Sequence, residues 1–123
     1  MPQIVCNTRA GMDTEIKAMI AARITDVVHN TIKSPRNVIS VIFNDLAAES
    51  SYVGGKPGHD TVILCTIRLG RTDGAKQALS KGVSDVWHEC TGQDEEHIEV
   101  AVQELQAKYV VRGGKQMPEP PFA

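Results

Sequence analysis

A proline follows the initiator methionine directly, and two arginines, Arg68 and Arg71, stand three positions apart near the middle of the chain. Each of these residue types has a definite chemistry. Once Met1 is cleaved, Pro2 presents a secondary ring amine. A chain-terminal amine ordinarily titrates at ~7.7–8.0, a prolyl amine is intrinsically more basic, and burial or neighbouring cations pull the value down. An amine tuned to working pH can accept or deliver protons. The planar guanidinium fork of arginine grips a carboxylate through two parallel hydrogen bonds and keeps its charge while doing so. Plainer readings stand beside these. Pro2 could merely permit methionine removal and start an edge strand, and the arginines could be solvated at a strand-to-helix junction or pair across a subunit contact. His29 is expected on the polar side of a helix, where an exposed histidine and a pocket histidine read alike. Tyr52 lies in a glycine-rich loop from which it could reach over a substrate. His59 and His97 lack partners at metal-ligand spacing, so no metal site is expected. Gly54-Gly55 is too short, and has no following helix, for a phosphate-binding loop.

The elements that must position these residues are written twice. Displacing the chain by 59 positions, the separation of Arg9 from Arg68, lays Arg9-Ala10-Gly11 on Arg68-Leu69-Gly70. The same displacement lays Thr25-Asp26-Val27-Val28-His29 on Ser84-Asp85-Val86-Trp87-His88, and Ile39-Ser40-Val41 on Ile98-Glu99-Val100. Each copy reads as strand, helix, strand. Gln3 to Thr8 is a strand. Asp13 or Thr14 caps a helix whose Ile16, Met19, Ile20, Ile24, Val27, Val28 and Ile32 recur at helical spacing. Pro35 stops that helix, and Val38 to Phe43 is a buried β-branched strand. Thr61 to Ile67, a helix opened by Thr72 or Asp73 and ended by Gly92, and Ile98 to Val102 repeat the order. The expected fold is α+β: two tandem β-α-β units, residues 2–46 and 61–105, forming a four-stranded mixed sheet with two helices on one face. The chain is expected to be one domain, 1–123, with residues 46–60 a mobile connection, a short strand at Tyr109-Val110-Val111, and a tail over 107–123 that is irregular past Met117. The strands are apolar on both sides and no third helix exists to cover the second face, so an oligomer is expected. Met12 stands opposite Arg71 in the repeat. The arginine pair therefore occurs once per chain, in the copy that lacks the proline.

Such a β-α-β unit used twice, beginning at a proline after the initiator methionine, resembles the tautomerase superfamily. More narrowly it resembles the fused-repeat subgroup around cis-3-chloroacrylic acid dehalogenase. Met1-Pro2, Ala22 to His29 (ARITDVVH), Val53-Gly54-Gly55 and Asp60 to Arg71 (DTVILCTIRLGR) carry the likeness, which extends to about Gly114. The resemblance implies a homotrimer with a tautomerase/MIF-like fold and no cofactor. It implies that Pro2 is the acid or base, that Arg68 and Arg71 hold a substrate carboxylate, and that His29 assists them. The dehalogenase's water-positioning tyrosine falls on Ala101 and its water-activating glutamate on Arg112, which disfavours dehalogenation and hydration. The related malonate semialdehyde decarboxylase pattern wants an aspartate after the Pro35 region, where this chain has Arg36-Asn37-Val38. The activity implied is keto–enol isomerisation of a small enol or keto acid. The competitors are a dehalogenase or hydratase of an unsaturated acid, and a non-catalytic oligomeric binding protein of the same fold.

Composition narrows the partners. With 13 Lys+Arg against 15 Asp+Glu, a net charge of −2, and few aromatics, no nucleic-acid footprint is expected. No apolar run approaches the ~20 residues of a membrane span, and the first ten residues do not read as a secretory signal. Cys6, Cys65 and Cys90, odd in number and without metal-type spacing, read as reduced thiols of a cytoplasmic chain, with Cys6 in the core.

Overall fold

The structure is a computed structural model that describes residues 1–9 and 11–120. Residues 121–123, the end of the expected tail, and Ala10 of the repeat lie outside the described residues. Four strands, β1 (Gln3–Arg9), β2 (Ser40–Leu46), β5 (Thr61–Arg68) and β6 (Ile98–Leu105), form one mixed sheet in the order β2-β1-β5-β6. Within each repeat the strands are parallel, and β1 meets β5 antiparallel at the centre. Helices α1 (Thr14–Ile32) and α2 (Asp73–Thr91) cover one face.

The helices begin and end for local reasons. Asp13 accepts from the Ile16 amide at 2.8 Å and Thr72 accepts from the Ala75 amide at 3.2 Å, each satisfying an otherwise orphaned helix N–H. Both helices stop at a left-handed residue whose amide donates to a histidine carbonyl, Lys33 to His29 and Gly92 to His88. Ile20, Ile24, Val28 and Ile32 of α1 and Leu79, Val83, Val86 and Trp87 of α2 are buried against Ile4, Cys6, Ile63, Cys65 and Ile67 of the central strands. Full burial of such a side chain contributes about 1.5–3 kcal/mol. Gly82 lets the helices approach closely, since a Cβ there would lie 2.7 Å from Val27 Cγ1.

The repeat runs further than the sequence matches. The segment 46–60, expected as a mobile connection, is a 3-10 turn at Ala48–Ser50 and a hairpin of β3 (Tyr52–Val53) and β4 (Lys56–Pro57). Its twin follows β6: a 3-10 turn at Ala107–Tyr109 and a hairpin of β7 (Val111–Arg112) and β8 (Lys115–Gln116), so that of the strand expected at Tyr109-Val110-Val111 only Val111 is in one. Gly54-Gly55 and Gly113-Gly114 make both turns with positive φ, the conformation that a two-residue hairpin demands. The strand expected from Val38 starts at Ser40, because the chain leaving Pro35 first makes a 3-10 turn over Arg36–Val38. Lys17 pairs with Asp45 exactly as far along the first unit as Lys76, 3.0 Å from Glu104, does along the second. The second sheet face is left uncovered in one chain, with Ile42 45% and Val62 42% exposed.

Candidate active site

The antiparallel register of β1 and β5 sets Gln3 opposite Thr66 and Asn7 opposite Val62. The amino terminus is thereby delivered to the end of β5 that Arg68 closes. The Ser40 amide donates to the Pro2 carbonyl at 3.0 Å, tying the start of β1 to the start of β2. Pro2 is fully buried and Met1 nearly so, at 6% exposure. The amine of Met1 is held below its ordinary value, first by burial and then by the charges of Arg112, Arg68 and Arg71. Three cations thus surround the amino terminus, one of them on the hairpin β7–β8.

Arg68 shares the sheet face of Val62, Leu64 and Thr66, the one without helices, yet it is only 5% exposed. The tail lies over it. Arg68 Nη1 donates to the Pro118 carbonyl, Glu119 opposes the lowering of its pKa by burial, and the Pro120 ring comes to 3.1 Å from where a Cβ on Gly70 would lie. Gly70 has φ +130°, a conformation open to glycine, so the chain can turn sharply between the two arginines.

Arg71, also 5% exposed, donates through Nη1 to the Arg68 carbonyl at 3.1 Å and through Nη2 to Ser34 Oγ at 3.2 Å. Burial and the charge of Arg68 push its pKa down. The Nε atoms of both arginines are buried without a hydrogen-bond partner, and among the described residues neither guanidinium forms a salt bridge. Buried polar groups are nearly always satisfied. Two partly unpaired guanidinium groups beside a desolvated amine are therefore poised for an anionic acceptor.

His29 is joined to this group through Ser34, which is fully buried. Its Nδ1 lies 2.8 Å from the Ser34 carbonyl oxygen. His88, its twin, makes the same contact with Gln93 at 2.7 Å. The structure therefore brings together Pro2, Arg68, Arg71, Arg112 and, one residue removed, His29. It does not bring Tyr52 to them within the chain. Tyr52 is 57% exposed on the hairpin leading into the start of β5, while the amino terminus sits at the far end of that strand. Sequence reading missed Ser34, whose signal was only that of a helix stop before proline, and the tail, whose contact with Arg68 uses a backbone carbonyl. Among the described residues no three His, Cys, Asp or Glu side chains are grouped to hold a metal. His97 instead pairs with Asp60 at 2.7 Å and packs on the His59 ring.

This fold and this cluster have relatives. A family model described as tautomerase enzyme matches residues 2–61 and 65–118. The structure of N1, a member of the cis-3-chloroacrylic acid dehalogenase family, superposes with a TM-score of 0.91 at 30% identity, covering 97% of this chain and 85% of that one. A native fused 4-OT superposes at 0.88 with 25% identity, covering 94% and 95%. A wild-type fused 4-OT solved as an asymmetric trimer shares the fold at 0.90 with 21% identity, covering 94% and 95%. No curated protein matches the chain significantly. The chain belongs to the tautomerase family, alongside its cis-3-chloroacrylic acid dehalogenase-like and fused 4-OT proteins. Among the described residues no helix is long and apolar enough to cross a membrane.

Proposed function

We propose that the chain is a cofactor-independent tautomerase, assembled as a homotrimer, that interconverts the enol and keto forms of a small carboxylate-bearing acid. The observation that carries this reading is the pair of buried guanidinium groups, each with an unpartnered Nε, beside a desolvated amino terminus. Removal of Met1 uncovers the Pro2 amine and frees the volume that the nearly buried methionine fills. A small acid takes that space. Its carboxylate displaces the Pro118 carbonyl from Arg68 and meets Arg71 in two-pronged fashion. Ser34 and His29 hold Arg71 in place. The Pro2 nitrogen, kept unprotonated near neutrality by burial and the arginine charges, removes the enol or α-carbon proton and returns it at the other atom. The guanidinium groups stabilise the negative charge that builds on oxygen meanwhile.

The exposed apolar residues Ile42 and Val62 on the open sheet face support burial against further copies. Two buried thiols and one half-buried, none of them in a disulfide, fit a reducing cytoplasm. Arg112 at the amino terminus disfavours hydration, which needs a carboxylate there to activate water. The discriminating experiment compares turnover of phenylenolpyruvate with that of cis-3-chloroacrylate by protein of verified intact mass lacking Met1. Ketonisation of the first is expected to dominate, and a faster release of chloride from the second would overturn the reading.

A further inference from the structure

The duplication leaves a counterpart of the catalytic end in the second unit, where Thr61 occupies the place of Pro2 and Met12 that of Arg71. A cavity of about 260 Å³ is found there, lined by Thr8, Gly11, Met12, Ile16, Trp87, Thr91 and Gln93. Among the described residues that line it, none is charged. Its polar groups are arranged with little freedom. The Gln93 amide nitrogen donates to the His59 carbonyl at 3.0 Å and the His97 carbonyl at 3.2 Å, which orients the amide. Gln93 Oε1 then accepts from Trp87 Nε1 and from the Thr61 hydroxyl, both at 2.8 Å. The single proton of Thr61 is thereby committed, so across the 2.9 Å contact between Thr8 and Thr61 it is Thr8 that donates. Thr91 spends its proton on the Trp87 carbonyl and accepts from the backbone N–H of Gln93. The Thr8 oxygen, with its own proton given away, keeps lone pairs that can only accept.

We propose that this cavity is a second ligand site, built for a small uncharged molecule with an apolar body and one hydrogen-bond donor, such as an alcohol. Met12, Ile16 and the Trp87 ring receive the apolar body, and Thr8 Oγ1 accepts from the hydroxyl. An anion finds no counter-charge among the lining residues and loses its hydration on entry. The two units thus divide ligands by charge: carboxylates at the arginine end, neutral molecules at the other.

The chain's one tryptophan lines the cavity at 1% exposure, so its emission reports occupancy. The experiment titrates benzyl alcohol and, separately, benzoate into the assembled protein while Trp87 fluorescence and calorimetric heat are read. Benzyl alcohol is expected to saturate with a Kd on the order of 1 mM, a value ordinary for so small a ligand. Benzoate is expected to leave Trp87 emission unchanged. Thr8→Val should weaken benzyl alcohol by ~3–10-fold, the worth of one hydrogen bond, and Met12→Phe, which fills the space from another side, should abolish the response. A response that never saturates, an equal response to benzoate, or an affinity unchanged in both variants would overturn the proposal.

Discussion

Arg71 and His29 meet on one residue: Arg71 Nη2 donates to Ser34 Oγ at 3.2 Å, and His29 Nδ1 lies 2.8 Å from the Ser34 carbonyl oxygen. On the proposed function, the histidine at the end of α1 acts on Arg71, the cation that meets the substrate carboxylate, through the loop between them, as a positioning residue. Ser34→Ala removes one of the two contacts that aim Arg71. We expect KM for the carboxylate substrate to rise by ~3–10-fold with kcat changed much less, the worth of one hydrogen bond. Steady-state kinetics on phenylenolpyruvate check this. A fall in kcat at unchanged KM would place Ser34 in the proton-transfer step instead.

Glu119 lies close enough to Arg68 to oppose the lowering of its pKa, so it competes with an incoming anion for the same guanidinium. Glu119→Gln should tighten substrate binding by ~2–5-fold at low salt, in line with the ~0.2–1 kcal/mol of an exposed ion pair. The gain should fade as ionic strength rises, because salt screens exposed charges. Substrate titrations at two salt concentrations measure both effects.

The sequence and the structure agree most closely where a signal is repeated. A displacement of 59 residues predicts the two helices and the four main strands, because apolar spacing and helix caps carry local physics in each copy. What escaped has a different character. The tail over Arg68 is held by a backbone carbonyl, Pro118, which leaves no mark in residue type. Arg112 comes near enough to the amino terminus to lower its pKa because Gly113-Gly114 turn a hairpin there, where the sequence suggests only one short strand at Tyr109-Val110-Val111. Ser34 was read for the proline after it. The arginine pair was legible as a pair from its spacing, and the structure adds that both side chains are buried with an unpartnered Nε.

Gly82 stands inside α2, where alanine would ordinarily gain ~1 kcal/mol of helix propensity. A Cβ at this position meets Val27 Cγ1 at 2.7 Å. Gly82→Ala is expected to destabilise the protein by ~1 kcal/mol net, since overpacking of a close contact costs ~1–3 kcal/mol. Equilibrium denaturation shows this as a lower midpoint at unchanged slope. Val27→Ala in the same background should recover much of the loss.

The buried thiols of Cys6 and Cys65 are each pushed up from 9.0 to about 12 by desolvation. The folded thiols keep their protons where the unfolded ones have lost them. Their contribution to stability is therefore complete below pH 9.0 and is lost as the pH climbs towards 12. Denaturation midpoints should fall above pH 9.0, and Cys6→Ser with Cys65→Ala should flatten that decline.

The central claim concerns the nitrogen of Pro2. The amine of Met1 is lowered from 8.0, chiefly by burial; the adjoining Pro2 nitrogen, once uncovered, meets the same burial and arginine charges on the proposed reading, and a base works only when unprotonated. The decisive measurement is kcat/KM for phenylenolpyruvate as a function of pH, on protein lacking Met1 and on protein that retains it, each verified by intact mass. Protein lacking Met1 should show activity that rises with pH through an ionisation lowered from that of a free prolyl amine and then levels off, while protein retaining Met1 should be slower by ~100-fold or more, the ordinary worth of a positioned general base. Equal turnover by the two forms across the pH range would contradict the assignment of Pro2 as the base.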